Sequence, residues 1–309
     1  MARRVSIVVP VFNGAATVPE LVDRLGSVLD GAAAEYELVL VNDGSTDGSW
    51  RLIKELAERG PHVRGIDLMR NYGQHNALLA GVRAARHPVI VTLDDDLQNP
   101  PEEIPKLLAK LDEGYDVVYG SGLRPHGFWR NVSTAIVKRA LRGIIGSDIA
   151  GQVGPFRAFR TEIREAFRDF HAPFVSLDVL LSWGTTRYAS VQVDHQPRAG
   201  GRSSYGFVRL AVYTLNVVTG FSTRPLRFAS LVGLGFTLVG VAVLVLVLVR
   251  YFLEGDAVPG FPFLASLIAI FSGAQLLTLG IIGEYISRMH VRVMDRPAYA
   301  LREEVGDGE

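Results

Sequence analysis

Short β-branched runs alternate with stretches of helical pattern over the first third of the chain. VSIVVPVF (5–12), YELVLVND (36–43), VRGIDLM (63–69), PVIVTLD (88–94) and YDVVYG (115–120) have the length and composition of strands. Helical segments at 17–30, 47–59, 74–86 and 101–113 separate them. The order βαβαβαβαβ predicts an α/β fold: a mostly parallel sheet with helices on both faces.

The pattern changes near the C-terminus. Phe228–Val249 and Phe261–Ile282 are each 22 residues without a charge, and a rise of ~1.5 Å per residue makes each about 33 Å long, enough for a ~30 Å hydrocarbon core. Soluble helices rarely stay apolar on all faces for six turns, so the reading is a transmembrane hairpin with a short loop, RYFLEGDAVPG. Arg209, Arg224 and Arg227 precede it and Arg288, Arg292, Arg296 and Arg302 follow it, which predicts both ends in the cytoplasm. The apolar start, MARRVSIVVPVF, is short before Pro10 and reads as a first strand rather than a signal peptide. The expected organisation is a cytoplasmic α/β domain over 1–205 and an interfacial region over 206–227, then the hairpin over 228–286 and a cytoplasmic tail over 287–309. Within the second region Phe207–Phe221, apolar on several faces with Arg209 and Asn216 interspersed, reads as an interfacial helix.

Composition supports the membrane reading and excludes other classes. The 309 residues are 48% hydrophobic, with a mean hydropathy of +0.21. Lys plus Arg and Asp plus Glu are 32 each, so no basic field exists to hold nucleic acid. Cysteine is absent, which removes disulfides, thiolate metal sites and a cysteine nucleophile.

In a parallel sheet, ligands bind at the carboxyl ends of strands. Here those ends carry Pro10, Phe12 and Asn13, then Asn42-Asp43-Gly44-Ser45-Thr46-Asp47, then Asp94-Asp95-Asp96. Read alone, the second group is a turn leading to a helix N-cap. Three aspartates directly after an apolar strand repel one another unless a cation offsets them, and Asp94 with Asp96 suits one hard divalent ion, Mg²⁺ or Mn²⁺, beside a diphosphate. No P-loop and no GxGxxG after the first strand is present to cradle phosphate.

VVPVFN, VNDGSTDGS, RNYGQHNALLAG, LDDDLQNPPEEIP, EGYDVVYG, FSTRPLR and GIIGEYISR resemble segments of the membrane-anchored polyisoprenyl-phosphate glycosyltransferases. These are inverting enzymes of glycosyltransferase family 2 with a GT-A fold. The chain is similar above all to the undecaprenyl-phosphate 4-deoxy-4-formamido-L-arabinose transferases and the bactoprenol glucosyl transferases, and more distantly to the dolichol-phosphate mannose synthases. The resemblance covers nearly the whole chain, both spans included.

It implies transfer of one sugar from a nucleotide diphosphate sugar, UDP favoured, to a polyprenyl phosphate at the cytoplasmic face of the inner membrane, and a homo-oligomer, often a tetramer in relatives. It implies that Pro10, Phe12, Asn13 and Asp43 line the base and ribose pocket and that Asn71, Gly73 and Gln74 form a nucleotide-sugar loop. Asp94 and Asp96 are the implied DXD metal ligands, with Asp95 and Gln98 beside them, and Asp96 is also expected to be essential for turnover. His75 reads as a polar residue at a helix start.

Two departures bear on mechanism. Relatives often carry a GDFR-type segment whose acid is proposed as the base, whereas this chain reads Gly151-Gln152-Val153-Gly154-Pro155-Phe156-Arg157. The relatives' GxSKY reads Gly201-Arg202-Ser203-Ser204-Tyr205, so the lysine is lost and Arg198 and Arg202, with Ser204 and Tyr205, are expected to meet the lipid phosphate. The remaining base candidate is Asp178 in FVSLDVLLSW, where burial raises a carboxyl pKa; its other reading is a helix residue paired with an arginine. Two competing functions stay open: a nucleotide-sugar-binding scaffold without catalysis, and a processive polysaccharide synthase, whose QxxRW motif has no counterpart here.

Overall fold

The computed structural model describes residues 3–122, 153–196, 223–254 and 260–306. Met1–Val212 and Asp295–Glu309 form one compact unit, and Tyr213–Met294 a second.

The first unit is built on an eight-stranded sheet in the order β7-β5-β6-β4-β1-β2-β3-β8. Its strands are β1 (Arg4–Val11), β2 (Glu35–Asn42), β3 (Val63–Leu68), β4 (Val89–Thr92), β5 (Val117–Ser121), β6 (Arg157–Arg160), β7 (Tyr188–Gln192) and β8 (Leu301–Val305). β1 runs parallel to β2 and to β4, and β2 parallel to β3. After Arg4 every residue of β1 is buried, because helices cover both faces; this is why the strand reads as a continuous apolar run rather than an alternation. Val5, Ile7, Val9 and Val11 share one cluster with Leu21, Leu25 and Leu29 of α1 (Val18–Ala32), Ile53 of α2 (Ser49–Arg59) and Leu107, Leu108 and Leu111 of α4 (Ile104–Asp112). α3 (Gln74–Ala84) packs on β1 and β2 from the opposite face. Chain order steps outward from β1 in both directions, so the crevice between the ends of β1 and β4 is the topological switch point.

Three strands were outside the expected pattern. β6 inserts antiparallel between β4 and β5, so β5 does not pair with β4, and β7 runs parallel to β5 at one edge. At the other edge β8 pairs antiparallel with β3, Gly65 opposite Val305. The segment expected as a tail thus closes the sheet. Between β6 and β7 lie a 3₁₀ stretch, Thr161–Phe167, and α5 (Leu177–Gly184).

The second unit holds α6 (Arg224–Glu254) and α7 (Gly260–Val293). Leu226–Val249 and Ile270–Val293 are long and apolar enough to cross a membrane, and neither is buried within the protein. Phe236 meets Phe271 edge-on at 5.9 Å, so the two helices pack on each other. α7 continues past Ile282, where the uncharged run ends, carrying Glu284 and Arg288 as an ion pair one turn apart. The expected interfacial helix, 207–221, lies outside the described residues.

Candidate active site

The carboxyl ends of four adjacent strands meet in a cavity of about 230 Å³ lined by Pro10, Val11, Phe12, Asp43, Asn71, Gly73, Gln74, Asp94, Asp95 and Asp96. β1 delivers the first three residues, and the Phe12 ring is half exposed at the mouth. Asn13 follows in the left-handed region at φ 55°. It does not line the cavity and joins two loops instead: its N–H donates to Ser45 Oγ at 2.9 Å, and its Oδ1 accepts from the Thr46 N–H at 2.8 Å.

β2 delivers Asp43, whose two carboxylate oxygens accept the amides of Tyr72 (2.7 Å) and Gly73 (2.9 Å). Burial pushes the Asp43 carboxyl above its ordinary pKa, while those two amides and the Arg70 charge pull the other way. The β2 and β3 loops approach so closely that a Cβ on Gly44, at φ +66°, would lie 2.6 Å from the backbone of Arg70 and Asn71. That is the physical content of the Asn-Asp-Gly signal.

β4 ends at Thr92, and the three aspartates fan out beyond it. Asp94 accepts from Gln74 Nε2 at the start of α3. Asp95 turns toward Gly14, where its carboxylate occupies the space a side chain would need. Asp96 accepts from both the backbone N–H (3.1 Å) and the side-chain amide (2.7 Å) of Gln98. Gln98 is absent from the cavity wall; it orients Asp96 and meets His195 Nε2 at 3.1 Å. Leu97 between them holds φ 59°, a strained value for a leucine, with its side chain buried.

A hard divalent ion would find an all-oxygen donor set here. Among the described residues no group of three or more His, Cys, Asp or Glu side chains converges on one point. An ion that bridges a diphosphate takes only one or two protein carboxylates and completes its shell from phosphate and water. The Asp94 and Asp96 pair, both at the wall and both held by amide donors, fits that requirement.

Behind the site lies a buried polar network, of which the sequence suggested only that Asp178 pairs with an arginine. Arg157, 1% exposed, donates from Nε to Thr92 Oγ1 at 3.0 Å and forms an ion pair with Asp178. Tyr119 Oη donates to the same Asp178 oxygen at 3.1 Å. Burial opposes the charge on Arg157, but Asp178, Tyr119 and Asp94 together hold its pKa above the ordinary value. Asp178 is not on the cavity wall: of its two expected readings, the structure draws the arginine-paired helix residue. His75 sits beside it, accepting the Leu177 N–H on Nδ1 at 3.4 Å and so capping α5. Burial lowers the His75 pKa to about 4, against the attraction of Asp178, leaving the ring neutral at pH 7. Arg198, Arg202, Ser204 and Tyr205 lie outside the described residues.

Comparison with known proteins gives concordant results. The model of glycosyl transferase family 2 matches residues 6–167. An undecaprenyl-phosphate 4-deoxy-4-formamido-L-arabinose transferase of Shewanella sediminis (strain HAW-EB3) is 39% identical over 306 residues, spanning 97% of this chain and 92% of the relative. One of Enterobacter sp. (strain 638) is 37% identical, spanning 99% and 95%. Among solved structures, glucosyl-3-phosphoglycerate synthase from Mycobacterium tuberculosis in complex with Mn²⁺, UDP-glucose and phosphoglyceric acid aligns with a TM-score of 0.53 and 20% identity, over 70% of this chain and 78% of that one. At that identity the likeness speaks for the fold alone.

Proposed function

The chain belongs to glycosyl transferase family 2, and from that premise we propose that it transfers one sugar from a nucleotide diphosphate donor, a UDP-sugar by preference, to undecaprenyl-type polyprenyl phosphate at the cytoplasmic membrane face. The observation that carries the reading is the convergence of four strand ends, with Asp43, Asp94, Asp95 and Asp96, on one cavity of a chain that also bears two span-length apolar helices. Full-length likeness to transferases named for the same acceptor supports it.

In this reading Pro10, Phe12 and Asp43 hold the nucleoside, while Asn71, Gly73 and Gln74 hold the diphosphate-sugar end. Asp94 and Asp96 would hold a Mg²⁺ or Mn²⁺ ion, which when bound would neutralise charge on the leaving diphosphate. Gln74 and Gln98 fix those two carboxylates, so the site is organised before the donor arrives. Arg198 and Arg202, with Ser204 and Tyr205, orient the lipid phosphate, whose oxygen attacks the anomeric carbon from the face opposite the diphosphate. Bond formation to that oxygen and departure of the nucleoside diphosphate in one displacement invert the configuration.

No protein base is required. The acceptor monoester has a second pKa near ~6, so at neutral pH it is mostly a dianion with no proton to lose. The ion pair of Asp178 with Arg157 agrees with a structural role for that acid.

The test incubates membranes containing the chain with undecaprenyl phosphate and a panel of nucleotide sugars, followed by mass spectrometry of the lipid extract. One donor is expected to yield a polyprenyl-phosphate sugar. A long glycan product would favour a processive synthase, and no product with any donor would favour a binding scaffold.

A further inference from the structure

The strand that follows the second apolar helix is wired to the cavity by side chains. Arg302 on β8 donates from Nη2 to the carbonyl of Met69 at 2.7 Å and from Nη1 to Asp67 Oδ2 at 3.5 Å. Asp67, 1% exposed at the end of β3, accepts on its other oxygen from Asn42 Nδ2 at 2.6 Å. Asn42 Oδ1 in turn accepts the Ser45 N–H at 3.3 Å, and Ser45 Oγ accepts the Asn13 N–H. The backbone reinforces the link, since the Met69 N–H donates to the carbonyl of Ala300 at 2.9 Å.

Arg302 therefore reaches both loops that shape the cavity, one directly at the Met69 carbonyl and the other through Asp67 and Asn42. Met69 lies two residues before Asn71 on the wall, and Asn42 lies one residue before Asp43, which grips Tyr72 and Gly73. A buried carboxylate in this position needs a positive partner to keep its geometry. Other contacts of the strand go elsewhere: Glu303 accepts from Trp50 Nε1 at 3.0 Å and pairs with Lys54 at 3.5 Å, both on α2.

We infer that Arg302 is a positioning residue for the nucleotide-sugar pocket, acting through Asp67 and Asn42 to set the loops 42–46 and 69–74. The claim rests on the reading of this cavity as the donor site. Because residues 294–300 join β8 directly to α7, donor binding then depends on a segment that is made only after the membrane helices.

The experiment compares the full-length chain in detergent with Arg302→Ala and Glu303→Ala. Hydrogen exchange is followed by mass spectrometry, and UDP with Mn²⁺ is titrated by calorimetry. Arg302→Ala is expected to speed exchange in peptides covering 42–46 and 69–74 while β1 and β4 stay protected, and to weaken UDP binding about tenfold. In turnover it raises KM for the donor, with kcat and KM for the lipid unchanged. Glu303→Ala, which loosens the same strand from α2, leaves both loops and UDP affinity as in the wild type. Unchanged exchange in the two loops, or equal effects of the two substitutions, overturns the inference. If the wild type itself fails to bind UDP, the donor reading is what fails, and the exchange data still decide whether Arg302 sets the loops.

Discussion

Asp43, Asp96 and His75 lie within a few residues of the same cavity, yet their surroundings prepare them for different tasks. Asp43 is occupied by two backbone amides and holds a loop. Asp96 accepts the backbone and side-chain N–H groups of Gln98 and faces the cavity. Asp96→Asn is expected to lower metal-dependent turnover about a hundredfold or more, since loss of one transition-state charge contact commonly removes roughly 3 kcal/mol, while the melting temperature hardly moves. Steady-state kinetics over a Mg²⁺ and Mn²⁺ series checks this; normal turnover with unchanged metal dependence would contradict the assignment. His75 makes a separate prediction. Its folded pKa of about 4 lies below the unfolded value of 6.5, so acid protonates the unfolded chain first. Stability is lost as pH falls from 6.5 through 4, by up to roughly 3 kcal/mol. Thermal unfolding of His75→Gln should show a shallower fall over that window than the wild type; parallel curves would mean that His75 already exchanges protons freely in the folded state. Pro10, Phe12, Asp43 and the three aspartates of the wall were legible because polar and turn residues cluster at strand ends, whereas Asn71, Gly73 and Gln74 were legible only through the family resemblance. Gln98 was named beside the DXD pair, but its task of orienting Asp96 required the left-handed turn at Leu97. Arg157 was not legible, because its partners Thr92, Tyr119 and Asp178 come from three distant segments.

At the level of elements, β1 to β5 and the four intervening helices followed from hydrophobic pattern to within a few residues. β6 and β8 did not. RAFR is only four residues long with arginine at each end, and LREEV carries three charges in five positions, so neither presents a strand pattern. β8 lies on the edge, with every residue but Val305 exposed, and is held by backbone pairing with β3 rather than by burial. β6 joins α5 to the sheet through the Arg157 and Asp178 pair. Asp178→Ala removes one partner of a buried ion pair and is expected to destabilise the chain by about 3 kcal/mol or more. Asp178→Asn should keep the acidic limb of the pH–rate profile at saturating lipid. A loss of several hundredfold in kcat together with that limb would show that Asp178 is the base after all.

For the whole molecule, β8 fixes a topological condition. It follows α7 in sequence yet pairs with β3, which precedes α6, so both flanks of the helix pair belong to one folded unit. Two crossings satisfy this and one does not, which agrees with the basic residues at the outer ends of the hairpin. Reporter fusions at residue 257 and at the C-terminus are expected to report opposite sides of the membrane; the same side for both would exclude the hairpin. The central claim is transfer of sugar to a lipid phosphate, and the direct measurement is a reconstituted reaction. The purified full-length chain, undecaprenyl phosphate in micelles, Mn²⁺ and the active nucleotide sugar are combined, and the anomeric configuration of the lipid product is read by NMR. The account expects stoichiometric nucleoside diphosphate and a polyprenyl-phosphate sugar of inverted configuration, formed by the wild type and lost in Asp96→Asn. Free sugar with no glycosylated lipid, or a lipid product of retained configuration, would contradict it.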